Sequence, residues 1–266
     1  MNLNITIGQY YPSMSRIHSL DPRNKLLALI LFMVMIFSAT NFVSYLVAAA
    51  GLVIVITLSK VPLKFMFKGL RAIIGIIIFT VIMNMFFVPG ENIIFEWNFL
   101  RISVEGLFAA GRMASRLVLL IIASSILTLT TSPIELTDGL EYVLKPFKKI
   151  GVPAHEIAMM MTIALRFIPT LMEETDRIMK AQISRGADFD TGGIIKKARA
   201  VIPLLVPLFI SAFRRADELA LAMEARCYRG DENRTRMREL ALKKADYIFS
   251  CVLFLFLISA LGTRFL

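Results

Sequence analysis

A stretch of 34 consecutive residues, Leu26–Ser59, contains no Asp, Glu, Lys or Arg. Three further charge-free runs follow it: Ala72–Gly90, Leu117–Ile134 and Tyr247–Thr263. A helix needs about 18 or more apolar residues to cross a bilayer. A soluble protein can bury one such helix but rarely buries several, so these runs predict an integral membrane protein.

The overall composition agrees with this class. Of the 266 residues, 57% are hydrophobic and 19% are charged, whereas about a quarter of the residues in a soluble domain are charged. A net charge of +10 can indicate nucleic-acid binding, but in a membrane protein it is typical of cytoplasmic loops and of contact with anionic lipid. The bilayer, and not nucleic acid, is the predicted partner. The cysteines Cys227 and Cys251 have no metal-site spacing, so no metal ligands are predicted.

The long run Leu26–Ser59 is too long for one span. As a single helix it would extend about 50 Å, against a hydrocarbon core of about 30 Å. The polar residues 38–41 near its middle therefore predict a tight turn. The fold class is then an all-α integral membrane protein with about five transmembrane helices. Their predicted bounds are Pro22–Ala39, Phe42–Leu58, Leu70–Val88, Glu105–Thr130 and Tyr247–Thr263.

Basic residues lie on one side of these spans. They precede the first span and fill the connection between the second and third: Arg16, Arg23, Lys25, Lys60, Lys64, Lys68 and Arg71. The connection Pro89–Glu105 carries three glutamates and only one arginine. Because short loops rich in Lys and Arg stay in the cytoplasm, the N-terminus is predicted to be cytoplasmic and Pro89–Glu105 to lie outside.

The chain is predicted to have three parts. Residues 1–131 form the N-terminal segment and spans one to four, residues 132–245 a cytoplasmic region, and residues 246–266 the last span. The region from Ser132 to Ala245 holds 19 Lys or Arg and 15 Asp or Glu residues, most of the charge in the protein.

Two long amphipathic helices are predicted within the cytoplasmic region. The first covers about Ala154–Ser184 and the second about Ile194–Cys227, because apolar residues recur at helical spacing between flanking Pro and Gly residues. A proline inside a helix removes a hydrogen bond and bends it. Kinks are therefore expected at Pro169 in the first helix and at Pro203 and Pro207 in the second. The glycine-containing segment 186–193 predicts a turn between them.

The ends of these two helices resemble each other at an offset of 41 residues. The matched pairs are Asp176 and Asp217, Ile178 and Leu219, Ala181 and Ala222, and Arg185 and Arg226. Alanine and arginine four residues apart share one helix face. One interpretation is that each arginine caps a helix C-terminus. The other is that each arginine enters a groove on a cytoplasmic partner, while the small alanine lets another helix approach.

With these motifs the chain resembles the transmembrane T component of energy-coupling factor (ECF) transporters, which belong to the ABC family. The resemblance covers essentially the whole chain. It depends on the segment Ser15–Lys25 before the first span and on two arginine-centred triplets, Ser184-Arg185-Gly186 and Ala225-Arg226-Cys227. Each triplet departs at one flank from the commonest Ala-Arg-Gly form.

The resemblance implies a non-catalytic coupling subunit of a vitamin or micronutrient importer in a prokaryotic cell membrane. Arg185 and Arg226 would each enter one of two ABC-type ATPase subunits, which bind the ATP, so the chain itself needs no cofactor. A membrane-embedded substrate-binding S component would rest on the two coupling helices. ATP-driven closure of the ATPase pair would move these helices and topple the S component.

Two other functions are considered. A stand-alone channel or secondary carrier usually has ionisable residues or broken helices at mid-membrane depth, and spans one, two, three and five have no charged residue in their interiors. An intramembrane enzyme would have to use Glu105, Arg112 and Arg116. No G-x-x-x-x-G-K-[ST] phosphate-binding loop is present, and His155-Glu156 is not followed by the second histidine of H-E-x-x-H.

Overall fold

The computed structural model describes residues 10–39, 41–90, 92–97, 100–187, 193–230 and 242–262. The described residues form α-helices and one β-hairpin. In chain order the elements are α1 (Pro22–Ser38), α2 (Phe42–Ser59), α3 (Leu63–Phe87), β1 (Ile93–Trp97), β2 (Leu100–Ser103), α4 (Val104–Thr130), α5 (Pro133–Leu144), a 3₁₀ helix (Lys145–Ile150), α6 (Ala154–Ser184), α7 (Ile194–Ala225) and α8 (Lys244–Gly262).

The predicted membrane helices are found as α1, α2, α3, α4 and α8, which confirms the all-α membrane class. Three of the described helices, α2, α3 and α4, are long and apolar enough to cross a membrane. The total of five spans stays a prediction. Helix α3 begins at Leu63, seven residues before the predicted start, because Lys64 and Lys68 fit its first turns. The predicted turn at 38–41 includes Thr40, which lies outside the described residues.

The two predicted long polar helices are α6 and α7. Helix α6 has the predicted bounds, and α7 ends at Ala225, two residues before the predicted end. Pro169 lies inside α6, and Pro203 and Pro207 lie inside α7; whether they bend these helices stays a prediction. Part of the predicted turn between the helices, residues 188–192, lies outside the described residues.

The connection predicted as the loop Pro89–Glu105 contains the hairpin instead. Strands β1 and β2 pair antiparallel, with Glu96 opposite Arg101 and Trp97 opposite Leu100. The residues of β2, Leu100–Ser103, alternate between apolar and polar, which is typical of a strand with one buried face. This local pattern signals a strand, although the surrounding hydrophobicity favours helices.

Helix α5 has clear local causes that the sequence prediction did not use. Ser132 and Glu135 form a capping box: the Ser132 N–H donates to Glu135 Oε2 at 3.2 Å, and the Glu135 N–H donates to Ser132 Oγ at 3.3 Å. Pro133 occupies the first helical position, where it is favoured. Gly139 lets α5 approach α1, since a Cβ atom there would lie 3.3 Å from the backbone carbonyl of Pro22.

The chain forms two compact units. The first comprises Met1–Val143 and Glu239–Leu266, and the second Leu144–Arg238. The predicted three-part division stays a prediction. In the first unit α1, α2 and α4 share an apolar core that includes Ile36, Ala48 and Ile126. Many large apolar side chains point outward, for example Phe79 at 61% exposure, as expected of helices that face lipid.

Residues 10–21, here called the N-terminal clasp, hold several helix ends of the first unit together. The Tyr11 N–H donates to the Leu129 carbonyl at 2.9 Å, and the Ser13 hydroxyl donates to the Ser59 carbonyl at 3.4 Å. The rings of Tyr11 and Phe65 lie 5.2 Å apart. The clasp therefore contacts the end of α4, the end of α2 and the start of α3.

A buried polar cluster joins the clasp to α1, α4 and α8. Asp246, only 1% exposed, accepts hydrogen bonds from the N–H groups of Asp21 and Lys243, both at 2.7 Å. Lys25 Nζ donates to the carbonyls of His18 at 3.1 Å and Thr130 at 3.0 Å. The segment Ser15–Lys25, on which the family resemblance partly depends, is thus the structural joint at this end of the unit.

His18 is a hydrogen-bonded residue of the clasp. Its Nε2 lies 2.9 Å from the Tyr11 carbonyl, and its Nδ1 lies 2.6 Å from the Ser15 hydroxyl. Burial lowers the pKa of His18, so the imidazole is neutral at pH 7. The neutral ring fits this arrangement, with one nitrogen donating to the carbonyl and the other accepting from the hydroxyl.

Candidate docking site on the long polar helices

Helices α6 and α7 run side by side in opposite directions. A guanidinium nitrogen of Arg215 lies 3.0 Å from Glu174 Oε2, and the Tyr228 hydroxyl donates to Met159 Sδ at 3.0 Å. Moving forward along α6 from Met159 to Glu174 therefore means moving backward from Tyr228 to Arg215. The C-terminal end of α6 and that of α7 consequently lie at opposite ends of the helix pair.

The first arginine, Arg185, is the residue at which α6 ends. Gly186 follows in the left-handed conformation with φ +89°. The Gly186 N–H donates to the Ile183 carbonyl at 2.9 Å, and the Ala187 N–H donates to the Gln182 carbonyl at 3.0 Å. These are the two hydrogen bonds of a Schellman motif, which ends a helix through backbone groups alone.

The second arginine, Arg226, ends α7 by the same geometry. Cys227 has φ +55°, its N–H donates to the Glu224 carbonyl at 2.8 Å, and the Tyr228 N–H donates to the Met223 carbonyl at 3.0 Å. The 41-residue repeat is thus a repeat of backbone structure as well as of residue types. Because backbone N–H groups satisfy these carbonyls at both ends, neither guanidinium is needed to cap its helix.

Both triplets are accessible. Every residue of the two triplets and the preceding small residues is exposed: Ala181, Ser184, Arg185, Gly186, Ala222, Ala225, Arg226 and Cys227. Within the described part of the chain, neither Arg185 nor Arg226 forms an ion pair or a side-chain hydrogen bond. An exposed arginine without a partner presents its full set of donors to another molecule.

The conformation at Cys227 leads to a prediction. A non-glycine residue in the left-handed region costs about 1 kcal/mol relative to glycine. Cys227→Gly should therefore keep the helix end intact and stabilise it slightly, whereas Gly186→Val, which places a β-branched residue at φ +89°, should destabilise the end of α6 by more than 1 kcal/mol. Amide hydrogen exchange at the last turn of each helix would measure both effects; equal protection in the Gly186→Val variant would contradict the assignment.

Helix α7 also exposes an apolar stripe. Ile202, Val206, Phe209 and Phe213 are spaced by four, three and four residues, so they share one helix face. Their exposed fractions range from 53% to 67%. Four large apolar side chains in one row, on a helix that also carries many charges, are typical of a surface that packs against a partner or lipid.

The candidate intramembrane cluster is not a single site. Arg116 donates to the Tyr45 hydroxyl at 3.1 Å and lies over the Phe37 ring at 5.3 Å, whereas Glu105 accepts a hydrogen bond from Asn92 at 3.1 Å. Arg112 is exposed. The polar groups of α4 thus bind separate neighbours, and among the described residues no group of His, Cys, Asp or Glu could hold a metal.

Three contact residues of the helix pair were not predicted from the sequence: Glu174, Arg215 and Tyr228. For Glu174 and Arg215 a signal exists, because they occupy equivalent positions of the 41-residue repeat. Tyr228 contacts Met159 across 69 residues, and no local pattern indicates that pairing.

The fold defines a multi-pass helical membrane protein that carries, as a second unit, an antiparallel pair of long charged helices. Comparison with known proteins then gives the family. Residues 13–237 match the family model CbiQ, described as cobalt transport protein.

Proteins called energy-coupling factor transporter transmembrane protein EcfT are similar over almost the full length. The relative from Clostridium kluyveri is 57% identical over 97% of each chain, and that from Thermosediminibacter oceani is 54% identical over 98% of each. The relative from Bacillus subtilis is 47% identical over 91% of this chain and 92% of its own. The chain therefore belongs to the family of transmembrane T components of ECF transporters.

Proposed function

We propose that this chain couples an ATPase pair to a substrate-binding S component, with α6 and α7 as the moving parts. The proposal depends on one observation: two exposed arginines, neither paired with a described acidic residue, end the two helices in the same backbone geometry, at opposite ends of one antiparallel pair. Each arginine and its two flanking residues form a docking seat for a partner. Two equivalent seats fit two similar partner subunits better than they fit one.

Each seat has a chemistry that suits a protein groove. A guanidinium presents donors in a rigid planar fork, which matches carboxylates and backbone carbonyls. Arg185 and Arg226 each lie eleven residues beyond the contact between Glu174 and Arg215. At 1.5 Å per residue the two seats are up to about 33 Å apart along the pair. The partners would bind and hydrolyse ATP, so this subunit needs no cofactor and catalyses no reaction itself.

The apolar stripe of α7 suits the second partner. A membrane-embedded S component has apolar helices, and the stripe Ile202–Phe213 offers a matching apolar surface. The methionines at the start of α6 add an adaptable contact surface, with Met160 58% and Met161 37% exposed. The cargo would be a vitamin or another micronutrient that the S component, and not this chain, recognises.

The distribution of basic residues supports one orientation in the membrane. The clasp contacts the ends of α2 and α4 and the start of α3, which places the basic residues before α1 and around α3 at one end of the first unit. Loops rich in Lys and Arg remain in the cytoplasm. We therefore assign the N-terminus to the cytoplasm of a bacterial cell and the hairpin β1–β2 to the outside.

Purification and reconstitution test the function. The full chain expressed with its genomic neighbours should co-purify with two ATPase subunits and a small hydrophobic protein, and ATP should drive uptake by liposomes that contain the whole complex. Liposomes that contain the chain alone should take up nothing. A stand-alone channel or secondary carrier would transport without ATPases, and that result would replace the proposal.

A further inference from the structure

An ion pair connects α6 to α7 at equivalent positions of the 41-residue repeat. Arg215 binds Glu174 at 3.0 Å, and the numbers 174 and 215 differ by 41, as do 185 and 226. The two helices therefore touch at their own equivalent residues.

The helix segments that extend from this contact to the two terminal arginines are equal in length. From Glu174 to Arg185 and from Arg215 to Arg226 there are eleven residues each, or about 16 Å of helix. Helix pairs pack with a scatter of about 15–20° in their crossing angle. A change of about 20° at the contact would move each arginine sideways by about 6 Å relative to the other helix. Because the two arginines extend in opposite directions from the contact, the distance between them would change by about 2 Å.

Ser211, one turn before Arg215 on α7, completes the contact. The Ser211 hydroxyl accepts a hydrogen bond from Arg215 Nε at 3.5 Å. The neighbouring Ser211 hydroxyl and then the Arg215 guanidinium lower the pKa of Glu174, so this carboxylate stays ionised at neutral pH. The side chains of Arg215 and Glu174 are 35% and 26% exposed. Partly exposed ion pairs contribute little to folding stability, so the pair is better placed to set the geometry of the helices than to hold them folded.

We propose that Glu174, Arg215 and Ser211 form a pivot that fixes the crossing angle of α6 and α7 and thereby the spacing of the two arginine seats. These are positioning residues, since they act on partners only through Arg185 and Arg226. That the two ATPase subunits depend on this spacing rests on the proposed function, whereas the spacing itself is a property of this chain.

Distance measurement between spin labels tests the pivot. Nitroxides on Ile183→Cys and Glu224→Cys, both exposed and again 41 residues apart, report the spacing once Cys227 and Cys251 are replaced by serine. We expect a narrow distance distribution in the full chain in lipid nanodiscs. Glu174→Gln should broaden it by about 2 Å.

Matched variants separate a pivot from a general effect. Exchange of the charges, Glu174→Arg with Arg215→Glu, should restore the narrow distribution, while Glu173→Gln and Arg214→Gln, which alter exposed neighbours, should leave it unchanged. A distribution in Glu174→Gln that equals that of the unaltered chain would overturn the pivot, as would failure of the exchanged pair to restore it. Failure of the unaltered chain to bind ATPases would instead contradict the proposed function and leave the distances as they are.

Discussion

A chain that carries both Arg185→Glu and Arg226→Glu should remain in the membrane but recover almost none of its ATPase partners. Removing one partner of a buried, hydrogen-bonded charge pair costs about 2–5 kcal/mol of binding free energy. Reversing the charge adds repulsion from any carboxylate in the groove. With both seats altered, neither contact remains to hold the pair of ATPases.

Single variants should show a smaller loss, because two linked contacts bind more tightly than either one alone. The remaining seat keeps the complex partly assembled, so Arg185→Glu and Arg226→Glu separately should reduce ATPase recovery about 10- to 100-fold. Pull-down of purified ATPases on the immobilised chain gives the measurement, at two salt concentrations so that a general charge effect is recognised.

The control for this experiment lies on the same helix. Arg214 is exposed, as Arg226 is, but it lies far from the helix end, so Arg214→Glu changes the net charge by as much as either single variant and should leave recovery unchanged. Undiminished recovery from the double variant would show that the arginines serve another purpose. Equal loss in Arg214→Glu would show that only the total charge of the second unit matters.

The local sequence predicts the helices well because their limits have local causes. Pro153 and Gly186 border α6, and a left-handed residue follows both long helices, so the bounds of these elements depend on a few neighbouring residues. The charge-free runs predict the membrane helices for the same reason, since apolar length alone decides whether a helix can cross a bilayer. The sequence alone pairs Arg185 with Arg226, because the 41-residue repeat is visible in the residue types.

Contacts between distant residues could not be predicted in this way. Asp246 accepts a hydrogen bond from Asp21 across 225 residues, although two acidic side chains would ordinarily be expected to repel each other. Only the fold shows that the backbone N–H of Asp21, and not its carboxylate, faces Asp246. The hairpin β1–β2 is a different case. The alternation of apolar and polar residues in β2 is present in the sequence, but because the segments on both sides are predicted membrane helices, the connection is predicted as a loop.

Asp246 is also the residue whose substitution should lower the folding stability of the first unit most. Both of its oxygens accept backbone hydrogen bonds at 2.7 Å, and the residue is 1% exposed. Asp246→Ala would remove these acceptors and leave the buried N–H of Asp21 without a partner. A buried polar group left unsatisfied costs about 1–3 kcal/mol, and more when the lost acceptor is charged.

The expected result is a clear fall in thermal stability together with release of the N-terminal clasp. Unfolding of the detergent-solubilised chain would measure the first effect, and cleavage at Arg16 by trypsin would measure the second. Asp246→Asn keeps one carbonyl oxygen and should lose about half as much stability, since one of the two acceptors remains. Tyr247→Ala, at an exposed neighbouring position, should change neither. If the Asp246→Ala variant unfolded at the same temperature as the unaltered chain, the hydrogen bonds from Asp21 and Lys243 would not be what holds α8 against α1.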